Sequence, residues 1–324
     1  MSLRACVTGA TGCVGRNLVD ELLDAGWEVV VLHRKSSDLS KLDGCDVKFT
    51  EVDLADLDSV RRAIPTGTDA VFHAAGNVSH WPGDRDQQWI DNVIGTRNLT
   101  QTAREAGVKR FVFSSTGAVS FWYEGIKSGY VNSKKYAEDE VLQAVEGGLD
   151  GVILRLPIVI GKYDYNNYSQ IFKQLINGRV FPAFPGMMAF AHASDIAQGH
   201  IQAFERGEAG RVYRFDGDRT TWFDVFQRIR KLTAASCKVV RLPAVVFSSI
   251  ARVMQWTAYV TKREPLVTPE LIMLVNGKEG TRGDLIDVTN RDDNAARLGY
   301  QTRPLDEALK DCYEWLRSEK VLCN

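Results

Sequence analysis

The stretch Gly9-Ala10-Thr11-Gly12-Cys13-Val14-Gly15 does more than any other to limit what this chain can fold into. It follows a short apolar run, Leu3 to Thr8, and precedes a helical pattern carried by Leu18, Val19, Leu22 and Leu23. Apolar residues three and four apart mark one face of a helix, and a short unbroken apolar run reads as a buried strand. A lone glycine repeat is often only a turn, but between a strand and a helix it favours dinucleotide binding. Glycines permit the tight turn and let backbone N–H groups approach a pyrophosphate at the positive end of the helix.

The rest of the first half keeps the same rhythm. Strands are expected at Glu28 to Leu32, Val47 to Val52, Ala70 to His73, Arg110 to Phe113 and Gly151 to Leu156, with helical patterns between them. Such alternation implies an α/β fold, a doubly wound parallel sheet of Rossmann type, with ligands at the carboxyl ends of the strands. The second strand ends in His33-Arg34-Lys35-Ser36-Ser37, where an NAD site usually places an acidic residue on the ribose hydroxyl. No carboxylate stands in that run, and Arg34 with Lys35 suits a 2′-phosphate, so charge matching favours NADP over NAD. The competing reading of these residues is a solvated basic turn. Asp53-Leu54 is expected beside the adenine, although Asp53 equally suits capping a helix that starts near Asp56. The small residues Ala74-Ala75-Gly76, together with Ser114, Pro157, Ile158 and Val159, fall at strand ends where a cofactor would run.

Composition narrows the class. The chain has 324 residues, enough for two lobes, and its 44% hydrophobic and 25% charged content is that of a globular protein. A formal charge of −1 leaves no footprint for nucleic acid. The six cysteines are scattered, with no CxxC pair and no metal-type spacing, as expected of free thiols in the cytoplasm and of a protein without a metal. No charged and apolar leader precedes the first strand.

Tyr130-Val131-Asn132-Ser133-Lys134 opens a further helical pattern. Residues four apart share a helix face, so the Tyr130 phenol and Lys134 ammonium are placed to work as a pair, the cation favouring phenolate. Tyr123 and Lys127 share the spacing, but Gly125 between them marks a loop. With these motifs in order, the chain resembles an extended short-chain dehydrogenase/reductase of the dihydroflavonol-reductase and NAD-dependent epimerase/dehydratase branch. The likeness includes Asn92 to Leu99, Phe113 to Thr116, Arg155 to Gly161, His192 to Ala197, Arg211 to Gly217 and the tail from Leu298 to Trp315. It implies that Tyr130 is the catalytic acid/base, that Lys134 assists it, and that Thr116 hydrogen-bonds the substrate oxygen. It also implies that Asn92 fixes the active-site helix and that His192 is structural. For Thr116 the plainer alternative is a strand-end hydroxyl bonding its own backbone.

The interval from Thr116 to Tyr130 is only fourteen positions and carries Phe121, Trp122 and Tyr123, so an aromatic and open pocket edge is expected. Substrate contacts are expected at Val78, Ser115, Thr116, Trp122, Tyr168 and Met187. A dinucleotide-binding domain is drawn at 1–161 plus 192–217 and a substrate-binding lobe at 162–191 plus 218–324. The amphipathic stretch from Pro243 to Val260 is too polar to span a membrane, and core packing is favoured for it over peripheral membrane contact. The resemblance further implies a homodimer through the helices near Asn98 to Ala106 and Ala137 to Ala144. The expected chemistry is NADPH-dependent reduction of a ketone or aldehyde on a fairly apolar small molecule. A nucleotide-sugar epimerase or dehydratase holding NAD is the alternative, with Arg179, Arg211 and Arg214 as its candidate phosphate ligands. A non-catalytic NADPH-binding protein would not need Tyr130.

Overall fold

In the computed structural model, residues 2–123, 128–165, 168–261, 265, 267–275, 292–319 and 322 are described. The Tyr123–Lys127 pair and Gly125 lie wholly or partly outside them, and the side chains of Phe121 and Tyr123 are not described. The first half runs β1 (Arg4–Thr8), α1 (Cys13–Asp24), β2 (Glu28–His33), β3 (Val47–Glu51), α2 (Leu57–Ala63) and β4 (Ala70–His73). A short α3 (Arg85–Trp89) passes through a π turn, Ile90–Ile94, into α4 (Gly95–Glu105). Then come β5 (Arg110–Thr116), α5 (Val119–Tyr123), α6 (Gly129–Glu146) and β6 (Gly151–Leu156).

The second half begins with β7 (Ile158–Ile160), α7 (Ser169–Asn177), β8 (Val180–Ala183), β9 (Met187–His192) and α8 (Ala193–Arg206). It continues with β10 (Val212–Arg214), β11 (Asp218–Thr221), α9 (Trp222–Thr233), β12 (Lys238–Arg241) and α10 (Ala244–Thr261). It closes with α11 (Pro269–Val275), β13 (Asp292–Asn294) and α12 (Leu305–Ser318).

Eight parallel strands form the main sheet, in the order β3-β2-β1-β4-β5-β6-β10-β13. Strands covered on both faces read as continuous apolar runs, and every residue of β4 and β6 is buried. One face packs Val7, Phe72, Val112 and Leu154 against Leu18 and Leu22 of α1 and Ile196 of α8. The other packs Val30, Val71, Phe113 and Ile153 against Leu99 of α4 and Val141 of α6. The edge strand β3 carries exposed Lys48 and Glu51, charges that discourage pairing with another chain. A second core gathers Phe172, Phe190, Trp222, Phe226, Leu309 and Trp315 around β7, β8, β9, α7, α9 and α12.

Strand order reverses between β1 and β4, which opens a crevice at their carboxyl ends. The glycine turn fills it. Gly9 has φ +73°, and a Cβ there would lie 2.6 Å from the Ala75 nitrogen. A Cβ on Gly15 would lie 2.2 Å from the Gly9 oxygen, so this glycine sets how closely α1 packs on the turn. Gly15→Val is expected to cost about 2 kcal/mol or more through this backbone clash, seen as a lowered thermal unfolding midpoint. Wild-type stability in that variant would show that the turn has slack.

Candidate active site

At the strand ends, side chains from β1, β4, α4 and α6 are tied by buried hydrogen bonds. Ala75 N–H donates to Thr8 Oγ1 at 3.1 Å, and Thr8 Oγ1 is 2.7 Å from His73 Nδ1. His73 Nε2 lies 3.0 Å from Thr96 Oγ1, whose hydroxyl donates to the Asn92 carbonyl at 2.6 Å. With the Thr96 hydrogen already given to Asn92, the imidazole is best satisfied donating from Nε2 and accepting at Nδ1. Burial holds His73 neutral, its pKa lowered to about 3.

Asn92 sits in the π turn, a distortion frequently found at functional sites because it re-aims a side chain. Its amide clamps the Asn77 backbone, accepting from N–H at 2.7 Å and donating to the carbonyl at 2.9 Å. It also donates to Ser133 Oγ at 2.9 Å, on the helix that carries Tyr130 and Lys134. The π turn and α6 are thereby locked together, the positioning expected of Asn92.

Tyr130 and Lys134 stand one turn apart on α6. Ser128 caps this helix by accepting from the Val131 N–H at 3.1 Å. Lys134 Nζ donates to the Ser114 carbonyl at 2.7 Å and lies 4.2 Å over the Phe113 ring. Burial lowers the Lys134 pKa to about 8, against the raising influence of Glu138. Tyr130 differs from expectation: burial pushes its phenol above the usual range, and only a hydrogen bond with Thr116 works downward.

The Thr116 hydroxyl accepts from Ala118 N–H at 3.2 Å, the local backbone bond that was the plainer alternative for it. Ser115 departs from expectation. Its Oγ donates to Glu138 at 2.5 Å, beside a buried pair in which Arg155 Nη2 lies 2.7 Å from the same carboxylate. It is therefore spent on the core and is not offered to a substrate. The Ser114 side chain turns the other way, to His200 Nε2 at 2.7 Å, and only its carbonyl faces Lys134.

The residues expected around a cofactor sit at or just past the carboxyl ends of the strands. Thr11, Cys13 and Val14 are half-buried and Gly12 is exposed; Gly12 begins α1 with no side-chain cap. The first-turn amides thus have no side chain competing for them, and the glycine cradle fits a pyrophosphate. Ala74, Ala75, Pro157, Ile158 and Val159 are half-buried along the strand ends, and Gly76 lies beside Asn92 and Lys134. Arg34 and Lys35 are exposed past β2, where the His33 ring packs edge-on against Phe49. Asp53 is not a helix cap; its carboxylate accepts from Ala55 N–H at 2.9 Å, while Asp56 caps α2. The Leu54 carbonyl accepts from Asn98 Nδ2 at 2.8 Å, which fixes that corner. No cluster of metal-ligating side chains occurs among the described residues.

On the substrate side, Tyr168 stacks on Trp222 with centroids 5.8 Å apart. Its phenol is pushed far up by burial, with Asp164 and Tyr130 adding to the effect. Trp122 lies at the edge of α6, with Lys135 Nζ 5.0 Å over its ring. Val78 and Met187 are 53% and 52% exposed. Sequence reasoning missed His80, whose ring packs edge-on against Tyr130 at 5.2 Å. Its Nδ1 is buried without a protein partner, and burial lowers its pKa to about 4. No spacing rule points to His80, because a loop and not an element delivers it. His192 caps α8 by accepting from Ser194 N–H, the structural role expected of it.

The chain belongs to the NAD dependent epimerase/dehydratase family, whose model matches residues 5–215. It is an NAD(P)-dependent enzyme of extended short-chain dehydrogenase/reductase type. Over 98% of its length it is 29% identical to sterol demethylase protein B of Methylococcus capsulatus, covering 99% of that protein. A putative dihydroflavonol 4-reductase of Synechocystis is 33% identical over 62% of this chain and 63% of its own length. Among solved structures, the UDP-glucose 4-epimerase of Thermotoga maritima superposes with a TM-score of 0.74 at 22% identity, covering 98% of this chain and all of that one.

His73 and His200 are fully buried, with pKa values lowered to about 3 and about 4 by burial. Between pH 6.5 and those values the unfolded chain binds protons that the folded one refuses, so stability falls on acidification. These two groups should make unfolding free energy drop by about 3 kcal/mol per pH unit near pH 5.5, beyond any carboxylate contribution. Denaturant titrations at pH 7 and 5.5 measure it, and no drop would mean that both rings take up protons in the folded chain as readily as in the unfolded one.

Proposed function

We propose that the protein is an NADPH-dependent reductase acting on the ketone or aldehyde of a fairly apolar small molecule. The observation that carries this reading is the placement of Tyr130 and Lys134 one turn apart on α6, with the lysine ammonium held at the end of β5 by the Ser114 carbonyl. Bound in the glycine crevice, the nicotinamide cofactor supplies the hydride. Thr116 holds the carbonyl oxygen and Tyr130 delivers a proton to it as negative charge develops; donors aimed at that charge are the protein's main contribution. A phenol whose ordinary state is protonated suits the donor role. Lys134 places positive charge near the phenol and, in the family pattern, holds the nicotinamide ribose.

An apolar substrate is supported by the aromatic packing behind Tyr168. A chain of aromatic contacts leads from Trp222, against Tyr168, to Phe184 at 5.4 Å and on to Phe247 at 5.7 Å. Of the three arginines considered for a sugar diphosphate, Arg179 is exposed and Arg211 pairs with Glu208 at 3.5 Å, which leaves Arg214 at the end of β10. NADPH is supported by the exposed Arg34 and Lys35, and by the state of Asp38, the first carboxylate after β2. That carboxylate is engaged by the Ser40 hydroxyl at 2.6 Å. The lobes drawn at 1–161 plus 192–217 and 162–191 plus 218–324 belong to the same proposal, as does a homodimer through α4 and α6.

Tyr130→Phe should lower kcat by about 10²–10⁴-fold with NADPH binding retained, measured in a carbonyl panel; undiminished turnover would remove Tyr130 from the mechanism. Arg34→Ala should weaken NADPH by about 10- to 100-fold and leave NADH unchanged in fluorescence titrations. NAD retained through purification of the wild-type protein would instead favour the epimerase or dehydratase class.

A further inference from the structure

The core packing expected of Pro243 to Val260 holds for only one side of α10. Phe247 and Ala251 pack with Ile272 of α11 in a small core of their own, beside Phe184. The opposite side is apolar and bare. Val246, Ile250, Val253, Trp256 and Val260 recur every three or four residues and so form one stripe along the helix. Val253, Trp256 and Val260 are 63%, 71% and 69% exposed, and Met273 of α11 is 47% exposed.

Two features separate this stripe from an ordinary unpacked helix. First, its hydroxyls are turned inward. Ser249 Oγ donates to the Val245 carbonyl at 2.9 Å, Thr257 Oγ1 to Met254 at 2.8 Å, and Thr261 Oγ1 to Thr257 at 2.9 Å. Each satisfies its donor on the helix itself, so the stripe can leave water without stranding a hydrogen bond. Second, the chain leading into and out of the helix has a basic excess: Lys238, Arg241, Arg252, Lys262 and Arg263 precede the first carboxylate, Glu264. Arg252 and Tyr259, seven residues apart, border the stripe along one edge, where a cation and a phenol would meet headgroups.

We propose that α10 is a membrane-docking helix, lying flat on an anionic lipid surface with Val246, Ile250, Val253, Trp256 and Val260 inserted among the acyl chains. No described helix is long and apolar enough to cross a membrane, so the association is peripheral. The basic excess at the two ends of α10 selects an anionic bilayer as the occupant. A second copy of this chain would bring the same excess against itself. The inference does not depend on the reductase reading.

The test is cosedimentation of the full chain with vesicles of phosphatidylcholine, alone or with about one third phosphatidylglycerol, at low and high salt. Binding to the anionic vesicles, weakened by salt, is expected. Val253→Asp, at an exposed position, should keep the wild-type melting temperature and lose about ten-fold or more of that binding. The proposal is overturned if the wild-type chain stays in the supernatant. It is equally overturned if Val253→Asp sediments like wild type, or if the variant abolishes self-association while vesicles make no difference.

Discussion

The close approach of two backbones at the point where the sheet reverses governs everything else in this structure. Gly9 touches the chain at Ala74 and Ala75 at a distance that excludes any side chain. From that contact a line of buried hydrogen bonds runs through Thr8, His73 and Thr96 to Asn92. Asn92 then grips the helix of Tyr130 through Ser133. The cradle that fits a dinucleotide and the helix that presents the phenol are therefore parts of one rigid assembly. In a low-dielectric interior each of these bonds is costly to leave unmade, so the assembly has few alternative arrangements.

Much of this was legible in the amino-acid order. Parallel strands buried on both faces write themselves as short apolar runs, and so β1, β2, β4 and β6 lie within a residue of where the runs place them. The glycine turn and the four-residue interval of Tyr130 and Lys134 are local patterns, and helix geometry alone sets what they mean. The family match over residues 5–215 agrees with that reading.

What was not legible depends on directions and on distant partners. Adjacent serines on β5 point to opposite faces, so Ser114 meets His200 below the sheet while Ser115 meets Glu138 above it. The pairing of Lys134 with a carbonyl follows from where β5 ends relative to α6. His80 arrives against Tyr130 on a loop with no periodicity to announce it. For α10 the pattern correctly gave an amphipathic helix, but periodicity says only that a face is apolar, never what covers it.

One contact made by α11 gives the second lobe a larger part than walling a pocket. Glu270 pairs with Arg85 and accepts from the Gly129 N–H at 3.3 Å, at the first residue of α6. A carboxylate at a helix N-terminus offsets the positive end of the dipole and supplies a missing acceptor. The helix that carries Tyr130 is thus finished by a residue 141 positions further along the chain. Part of what fastens the start of α6 therefore comes from the C-terminal third of the chain.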